Sequence, residues 1–478
     1  MSTSRRAFTQ IVFGAGAACA NGKERAVDIG NRPQLFLHDD YLIGTKQGLR
    51  LAMTTPVKFP GNPVLKPDKP WELGEIGYGC LIHEREDGVY KLWYESRENN
   101  GILGDPSRPE RGRCMYAISR NGIEWDKPAV GQVPILGSRD HNVVFTGPPG
   151  QRSKVYWVMK DHADPDPAKR YKMMFHLWDF RGRGVSIAHS PDGIRWTASR
   201  YTNLTGGFDT QNLFLWDDRL GLYTGYLRTR RDGRRCIGRS TSPDGFHWSN
   251  PSTIHCPDDR DPARFDLYTP GVFKYSRAEN VYIMVTAAFD WASDRLFGQL
   301  CLSRNGIDWY RFREPFVPLG QKGDWDSGAI YTVPSEALVQ GQTAIYYQAN
   351  DFGHGAGGRT GIGIALLQEG AFAGWKADQE GVLTTPLLYC ELVSDAFLLN
   401  ADATGGSIEA ELLDRSGSVI PGFTRTASIP VRTKGGSLLL RWKGDPKRAG
   451  EARLRLYLKQ ATVFGFQARR LRKEDINE

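Results

Sequence analysis

SPDGIRW, residues 190–196, is one of four near-copies of a single pattern; the others are SRNGIEW at 119–125, SPDGFHW at 242–248 and SRNGIDW at 303–309. Asp-Gly or Asn-Gly lets the backbone take the positive φ that a hairpin corner needs, and Pro one step earlier fixes φ at about −65°. The leading Ser hydroxyl can bond amides of the loop, and the closing Trp can pack between neighbouring sheets. Asp and Asn interchange at the third position, so Asn121, Asp192, Asp244 and Asn305 are turn scaffold and not catalytic groups.

Each turn sits inside a longer unit. A Tyr- and Trp-rich strand comes first, then a second strand, then the turn, as in GVYKLWYES…RCMYAISRNGIEW, RYKMMFHLW…GVSIAHSPDGIRW, GLYTGYLRT…RCIGRSTSPDGFHW and NVYIMVTAAF…GQLCLSRNGIDW. A fifth unit, QTAIYYQAND…GIGIALLQEGAFAGW, has lost the turn but keeps Trp375. Turn-to-turn spacings of 71, 52 and 61 residues suit four strands with uneven loops. The 478 residues hold 54 Gly, 27 Pro, 13 Trp, 19 Tyr and 22 Phe, a composition for many short strands and tight turns. The predicted fold is all-β: a five-bladed β-propeller over 28–387, followed by a C-terminal β-sandwich over 388–470, where AFLLNADATGGSIEAELLDRSG and EARLRLYLKQATVFGFQA alternate apolar and polar residues.

The chain begins MSTSRRAFTQIVFGAGAACA: paired arginines, a short apolar stretch and small residues, the plan of an export signal over residues 1–20. SRRAF resembles the twin-arginine signal, which implies a periplasmic or secreted protein. No later apolar run reaches the roughly 20 residues of a membrane span. The net charge of +8 is spread among acidic residues without a long Lys/Arg run, which argues against a nucleic-acid partner. Cys80, Cys114, Cys236, Cys256, Cys301 and Cys390 form no CxxC pair, so neither a zinc site nor a redox motif is indicated; buried free thiols are expected, with one or two disulfides as the alternative.

In a propeller the innermost strand of each blade opens on a common mouth. Just before the Tyr-rich strands lie Asp209 in FDTQNLFLW, Asp266 in FDLYTPGVFKY and Asp326 in WDSGAIYTVPS. Unit one offers Glu72 and Glu75, and unit two offers Asp161 at the far end of its strand. Carboxylates converging on one mouth raise one another's pKa, so one can act as acid while another stays ionised, the pairing that glycosidic cleavage requires. Arg228 in GYLRTR would add a hydrogen-bonding rim. Tyr268, with Arg264 nearby, supplies the alternative base and neutraliser of a polysaccharide lyase.

A further acidic pair, Asp39 and Asp40 in NRPQLFLHDDYLIG, ends the first apolar strand. With the five units, this stretch resembles the five-bladed propeller glycoside hydrolases, the arabinanase/xylosidase-like and invertase-like group. Together with DPDPAKRYK, SPDGIRW, DWDSGAIY and LLNADATGGSIEAELLDRSG it is also similar to exported bacterial glycosidase-like proteins of undefined substrate, over about residues 30–468. The resemblance implies that Asp40 (or Asp39) is the first carboxylate, Asp161 or Asp209 the orienting one, and Asp209 or Asp266 the acid. By the same resemblance His354 in NDFGHGAGGRTG matches a central-channel histidine, and a structural calcium ion could occupy the channel; no other metal or cofactor is implied. The invertase-like Asn-Asp-Pro-Asn run is missing, RDP at 260–262 falls too late and CEL at 390–392 lies past the fifth unit, so fructan hydrolysis is disfavoured. The expectation is therefore an exported glycoside hydrolase of an oligo- or polysaccharide. Its catalytic residues would be Asp40, Asp209, Asp266 and Asp326; Asp39, Glu75, Asp161, Arg228, Tyr268 and His354 would bind substrate. The alternatives are a non-catalytic carbohydrate-binding propeller and a lyase.

Overall fold

The structure is a computed structural model that describes residues 24–72, 74–98, 112–148, 152–179, 182–205, 208–354, 358–389, 396–444 and 450–470. The twenty residues of the predicted export signal, and Cys390, lie outside them. The chain is all-β; its only helices among the described residues are three-residue 3-10 turns at Pro167–Lys169 and Arg425–Ala427. Among the described residues no helix is long and apolar enough to cross a membrane.

Three separate four-stranded antiparallel sheets, units I to III, are followed by a ten-stranded sheet whose two antiparallel meanders, units IV and V, are joined by a parallel bridge at Leu296↔Ala329. Unit I is Gly74–Glu84, Val89–Glu98, Gly112–Ser119 and Val143–Phe145; unit II is Arg152–Lys160, Tyr171–Asp179, Gly182–Ser190 and Thr197–Thr205. Unit III is Leu213–Asp217, Leu222–Arg231, Arg234–Ser242 and Ser252–His255. Unit IV opens with Phe265–Thr269 and Val272–Lys274, then Tyr282–Asp290, Arg295–Ser303 and Tyr310–Arg311. Unit V is Ala329–Val333, Gln342–Asn350 and Thr360–Leu367, and its outer strand, Val57–Lys58, comes from the beginning of the chain.

The repeated turn joins third to outer strand, and its bonds explain its persistence. The Ser hydroxyl accepts the Gly amide in all four copies, at 2.8–2.9 Å. One oxygen of Asn121, Asp192, Asp244 or Asn305 accepts the next two amides at 2.8–2.9 Å. The second atom meets the residue three places on in every copy: Asn121 and Asn305 donate to Glu124 and Asp308, and Asp192 and Asp244 pair with Arg195 and His247, so an amide serves as well as a carboxylate. The glycines have φ between +70° and +80°, where a side chain is strained. Their carbonyls also receive a neighbour: Trp93 Nε1 donates to Gly193 at 2.7 Å, the Tyr226 hydroxyl to Gly306 at 3.1 Å and the Tyr346 hydroxyl to Gly122 at 2.6 Å. The last of these bonds joins unit V back to unit I, as does the Tyr90 hydroxyl on the Leu338 carbonyl.

A second series of bonds marks the ends of the inner strands nearest these turns. Tyr171 donates to Glu84, Tyr223 to Asp161 and Tyr282 to Asp217, each at 2.5 Å. In each pair a tyrosine opening the second strand of one unit meets the carboxylate that closes the inner strand of the unit before it. Aromatic and aliphatic side chains fill the spaces between units, with Trp93, Tyr156, Phe175, Phe214, Tyr226 and Phe289 wholly buried.

Eight further strands form one sheet with its own core, and two small two-stranded sheets, Val27–Asp28 with Leu388–Tyr389 and Ser428–Ile429 with Arg441–Trp442, accompany it. Its spine is Arg453–Arg469, which turns at Gln460, a non-glycine residue at φ +44°. Ala373–Thr384 flanks one side, with Ala396–Asp402 and Ser407–Leu413 on the other. Sheet membership crosses the expected 387/388 division, because Gln34–Leu35, Thr45–Gln47, Arg50–Met53 and Ala373–Thr384 all belong to this sheet. Cys80, Cys114 and Cys301 are buried free thiols, whereas Cys236 and Cys256 form a disulfide. The register Ile237↔His255 sets those two cysteines side by side, a neighbour relation that spacing alone does not reveal.

Candidate active site

At the other end of the inner strands, side chains from all five units meet. The Tyr78 hydroxyl of unit I is 3.2 Å from the Thr210 hydroxyl of unit III, and Tyr156 of unit II donates to the Phe208 carbonyl. Thr210 also bonds the carbonyl of Tyr268 in unit IV at 3.4 Å. Tyr331 of unit V stands edge-on to both Tyr78 and Tyr268, each with ring centroids 5.9 Å apart. The described chain thus has an aromatic cluster where its inner strands converge, and the strand starts that precede it lie at the end where the mouth is expected.

Asp209, Arg228, Asp266, Tyr268 and His354 come together there. The guanidinium of Arg228 lies 4.2 Å from the centroid of Tyr268, donates to the Tyr268 carbonyl at 3.1 Å and ion-pairs with Asp209. The Arg228 side chain is only 2% exposed, whereas Asp209 is 56% exposed, so a fixed buried cation presents an open carboxylate. Asp266 is buried and accepts three bonds, from the Arg235 amide at 2.8 Å, the Arg235 guanidinium at 2.6 Å and Trp291 Nε1 at 2.9 Å. A carboxylate so fully engaged anchors its neighbours rather than shuttling a proton. His354 stacks on Phe289 at 4.6 Å and meets the edge of Tyr268 at 4.9 Å. Burial lowers the pKa of His354, and Arg235 and Arg228 add to the effect, so the ring is neutral near pH 7. Burial raises that of the Tyr268 phenol despite Arg228, which keeps it a hydrogen-bond donor and a poor base. Glu75 is buried at the start of the unit I inner strand, at this same end.

The other predicted residues lie elsewhere. Asp326 is buried against Lys58 at 2.6 Å and the Tyr347 hydroxyl at 3.0 Å, clamping the outer strand of unit V. It stands three residues before its inner strand, and its bonds turn it to the side instead of into the mouth. Asp161 takes Lys172 and Tyr223 in the inter-unit series already described, on the turn side. Asp39 pairs at 2.9 Å with Arg304, which belongs to the repeated turn of unit IV. Asp40 is 83% exposed beside Lys46 on the second sheet. The resemblance placed this pair on the first inner strand, but Gln34–Leu35 is drawn instead to Arg453–Arg469. Among the described residues no three His, Cys, Asp or Glu side chains gather as a metal-ligand set.

A series that sequence reading missed lies on the second strands. Glu95, His176, Arg228, Thr286 and Gln348 each fall two residues after the corresponding core position, Trp93, Met174, Tyr226, Met284 or Tyr346. All five are buried, one per unit. The signal was a polar residue at one fixed place in otherwise apolar strands: WYE, MFH, YLR, MVT and YYQ. Only Arg228 was singled out from it.

No protein-family model matches the chain, and no curated protein matches it. Solved structures do. An N-acetylgalactosamine deacetylase from F. plautii, in complex with a blood group B trisaccharide, is 13% identical with a TM-score of 0.42, covering 85% of this chain and 95% of its own. A glycosyl hydrolase from Bacteroides ovatus is 14% identical with a TM-score of 0.43, over 70% and 96%. A structure from the GH130 family of mannoside phosphorylases, which contains hydrolases of β-1,2-mannosidic linkages, is 14% identical with a TM-score of 0.39, over 69% and 96%. Likeness of this degree assigns neither family nor reaction.

Proposed function

We propose that the chain is an exported glycoside hydrolase whose five meanders are the blades of a five-bladed β-propeller, roughly residues 28–387, with the second sheet as an accessory β-sandwich centred on 388–470. The observation that carries this reading is Asp209: of the sequence-predicted carboxylates at the mouth, it alone is open to solvent, and a buried arginine aims it. Its ion pair suits the base or nucleophile of glycosidic cleavage, which works as carboxylate. Glu75 and Glu95, buried at the same end, are the carboxyl groups from which the proton donor is drawn. Trp291, 38% exposed, offers a face on which a sugar ring can stack. The Cys236–Cys256 disulfide supports an oxidising compartment, in keeping with an export signal at residues 1–20.

The test is reducing-end release from a panel of plant and algal glycans by the purified protein. Wild type should turn over at least one, and Glu75→Gln against Glu95→Gln identifies the donor by which variant stops cleavage while still binding. A protein that binds glycans but releases no ends from any of them is the binding module instead. A product with new short-wavelength ultraviolet absorption, from a double bond conjugated to the uronate carboxylate, marks a lyase, which the protonated Tyr268 disfavours.

A further inference from the structure

We propose that the mouth is built for a sugar bearing a negative charge, a uronate or a sulfated residue, held at the rim between units III and IV; this rests on reading the mouth as the glycan site. The hairpin of unit III runs Leu227-Arg-Thr-Arg-Arg-Asp-Gly-Arg-Arg-Cys236, five arginines within eight residues, and opens at the same end as Asp209. Arg230 lies directly opposite Arg235, and strand alternation puts both on the Arg228 face, toward unit IV. Arg228 and Arg235 are occupied by Asp209 and Asp266. Arg230, Arg231 and Arg234 form no ion pair among the described residues, and neither does Arg264, the residue before the unit IV inner strand.

Arg264 lies instead 4.9 Å from the centroid of the Trp291 ring, exposed to solvent. That ring is fixed from behind: its Nε1 is held by Asp266, Phe289 packs on it at 4.7 Å and Arg235 lies 5.3 Å away. Arg264 rests over the ring it would share with the sugar, and, lacking an ion pair, it can swing from that face to meet the carboxylate or sulfate of an incoming pyranose. The ring stacks on Trp291, and the anion takes Arg264 in a forked pair, with Arg230 within the same basic rim. The acids here are Asp232 in the hairpin, Asp290 and Asp294; Asp290 is already engaged by Ser293 and the Ala292 amide. A neutral sugar can use the ring alone.

Calorimetric titration of the full chain with trigalacturonate, a sulfated galactan trisaccharide and arabinotriose, each checked to remain intact during the run, tests this. At low salt an anionic trisaccharide should bind about tenfold or more tighter than the neutral one, with the advantage shrinking as salt rises. The carboxylate and sulfate arms identify which anion is meant. Arg230→Ala with Arg264→Ala should abolish that advantage and leave arabinotriose affinity unchanged, whereas Trp291→Ala, with Trp291→Phe as the fold-sparing partner, weakens both. Equal affinity for neutral and anionic sugars overturns the proposal. So does a preference that survives the double arginine variant, or equally tight binding of single-stranded DNA of matched charge. An anionic preference in a protein that cleaves nothing refutes the hydrolase reading alone; cleavage without the preference refutes this one alone.

Discussion

The two ends of the inner strands use the same side chain for opposite ends. On the turn side, Glu84, Asp161 and Asp217 repeat at one position, are buried, and each takes a tyrosine hydroxyl from the next unit. At the mouth, Asp209 is single and exposed, and its partner Arg228 is the buried member. A repeated buried carboxylate with a repeated donor stitches the assembly. A carboxylate presented outward by a buried cation keeps an oxygen free for substrate. Position along a strand does not separate these roles; which partner is buried does.

The sharpest way to break the comparison is Asp209→Asn, which should cut turnover about 10²–10⁴-fold; the Asn oxygen still accepts from Arg228, but the buried guanidinium loses its counter-charge, so the urea midpoint falls as well while the protein stays folded. A folded variant with normal turnover would move the chemistry away from Asp209. Asp161→Ala should leave turnover unchanged but strip the buried Tyr223 hydroxyl of its acceptor and leave Lys172 with Asp164 alone, at a cost of about 1–3 kcal/mol in chemical denaturation. Between units III and IV lies a site that excludes charge: burial, followed by Arg311 and Arg313, lowers the pKa of His255 to about 4. The unfolded chain protonates this residue first as pH falls, so its contribution is complete above about 6.5 and declines between 6.5 and 4, by about 3 kcal/mol. Melting curves across that window should show the loss, and His255→Gln should flatten it. The smallest effect expected is that of Tyr223→Phe, about 1 kcal/mol in denaturant with turnover unchanged, because Lys172 still pairs with Asp161.

The repeat was legible because its turn is written in local chemistry, a Ser, an Asx and a Gly whose bonds lie within four residues. Asp209 drew notice because it precedes an inner strand as Asp266 and Asp326 do, Tyr268 because it neighbours Asp266, Arg228 as a basic residue in a Tyr-rich strand, and His354 only through the resemblance. Asp326 occupies a similar place in sequence, yet Lys58 captures it, and Lys58 belongs to a strand 268 residues earlier. Asp39 and Asp40 were misplaced for the same reason: their segment pairs with residues near the far terminus, and no local pattern announces that. The arginine hairpin was visible in the sequence as RTRRDGRR, but the charge was read as dispersed, since only the strand register shows that the hairpin overhangs the mouth.

Val57–Lys58 completes the last meander by lying against Ala365 and Leu366. During synthesis this segment emerges more than three hundred residues before its partner, and Gln34–Leu35 waits longer still, for Gly465 and Phe466. The last meander can therefore be closed only after Leu366 has been made, and the Gln34–Leu35 pairing only after Phe466. Until then the nascent polypeptide carries two unpaired edges, one at its beginning and one on unit V, and a ribosome-bound truncation ending before residue 360 should lack that closure altogether.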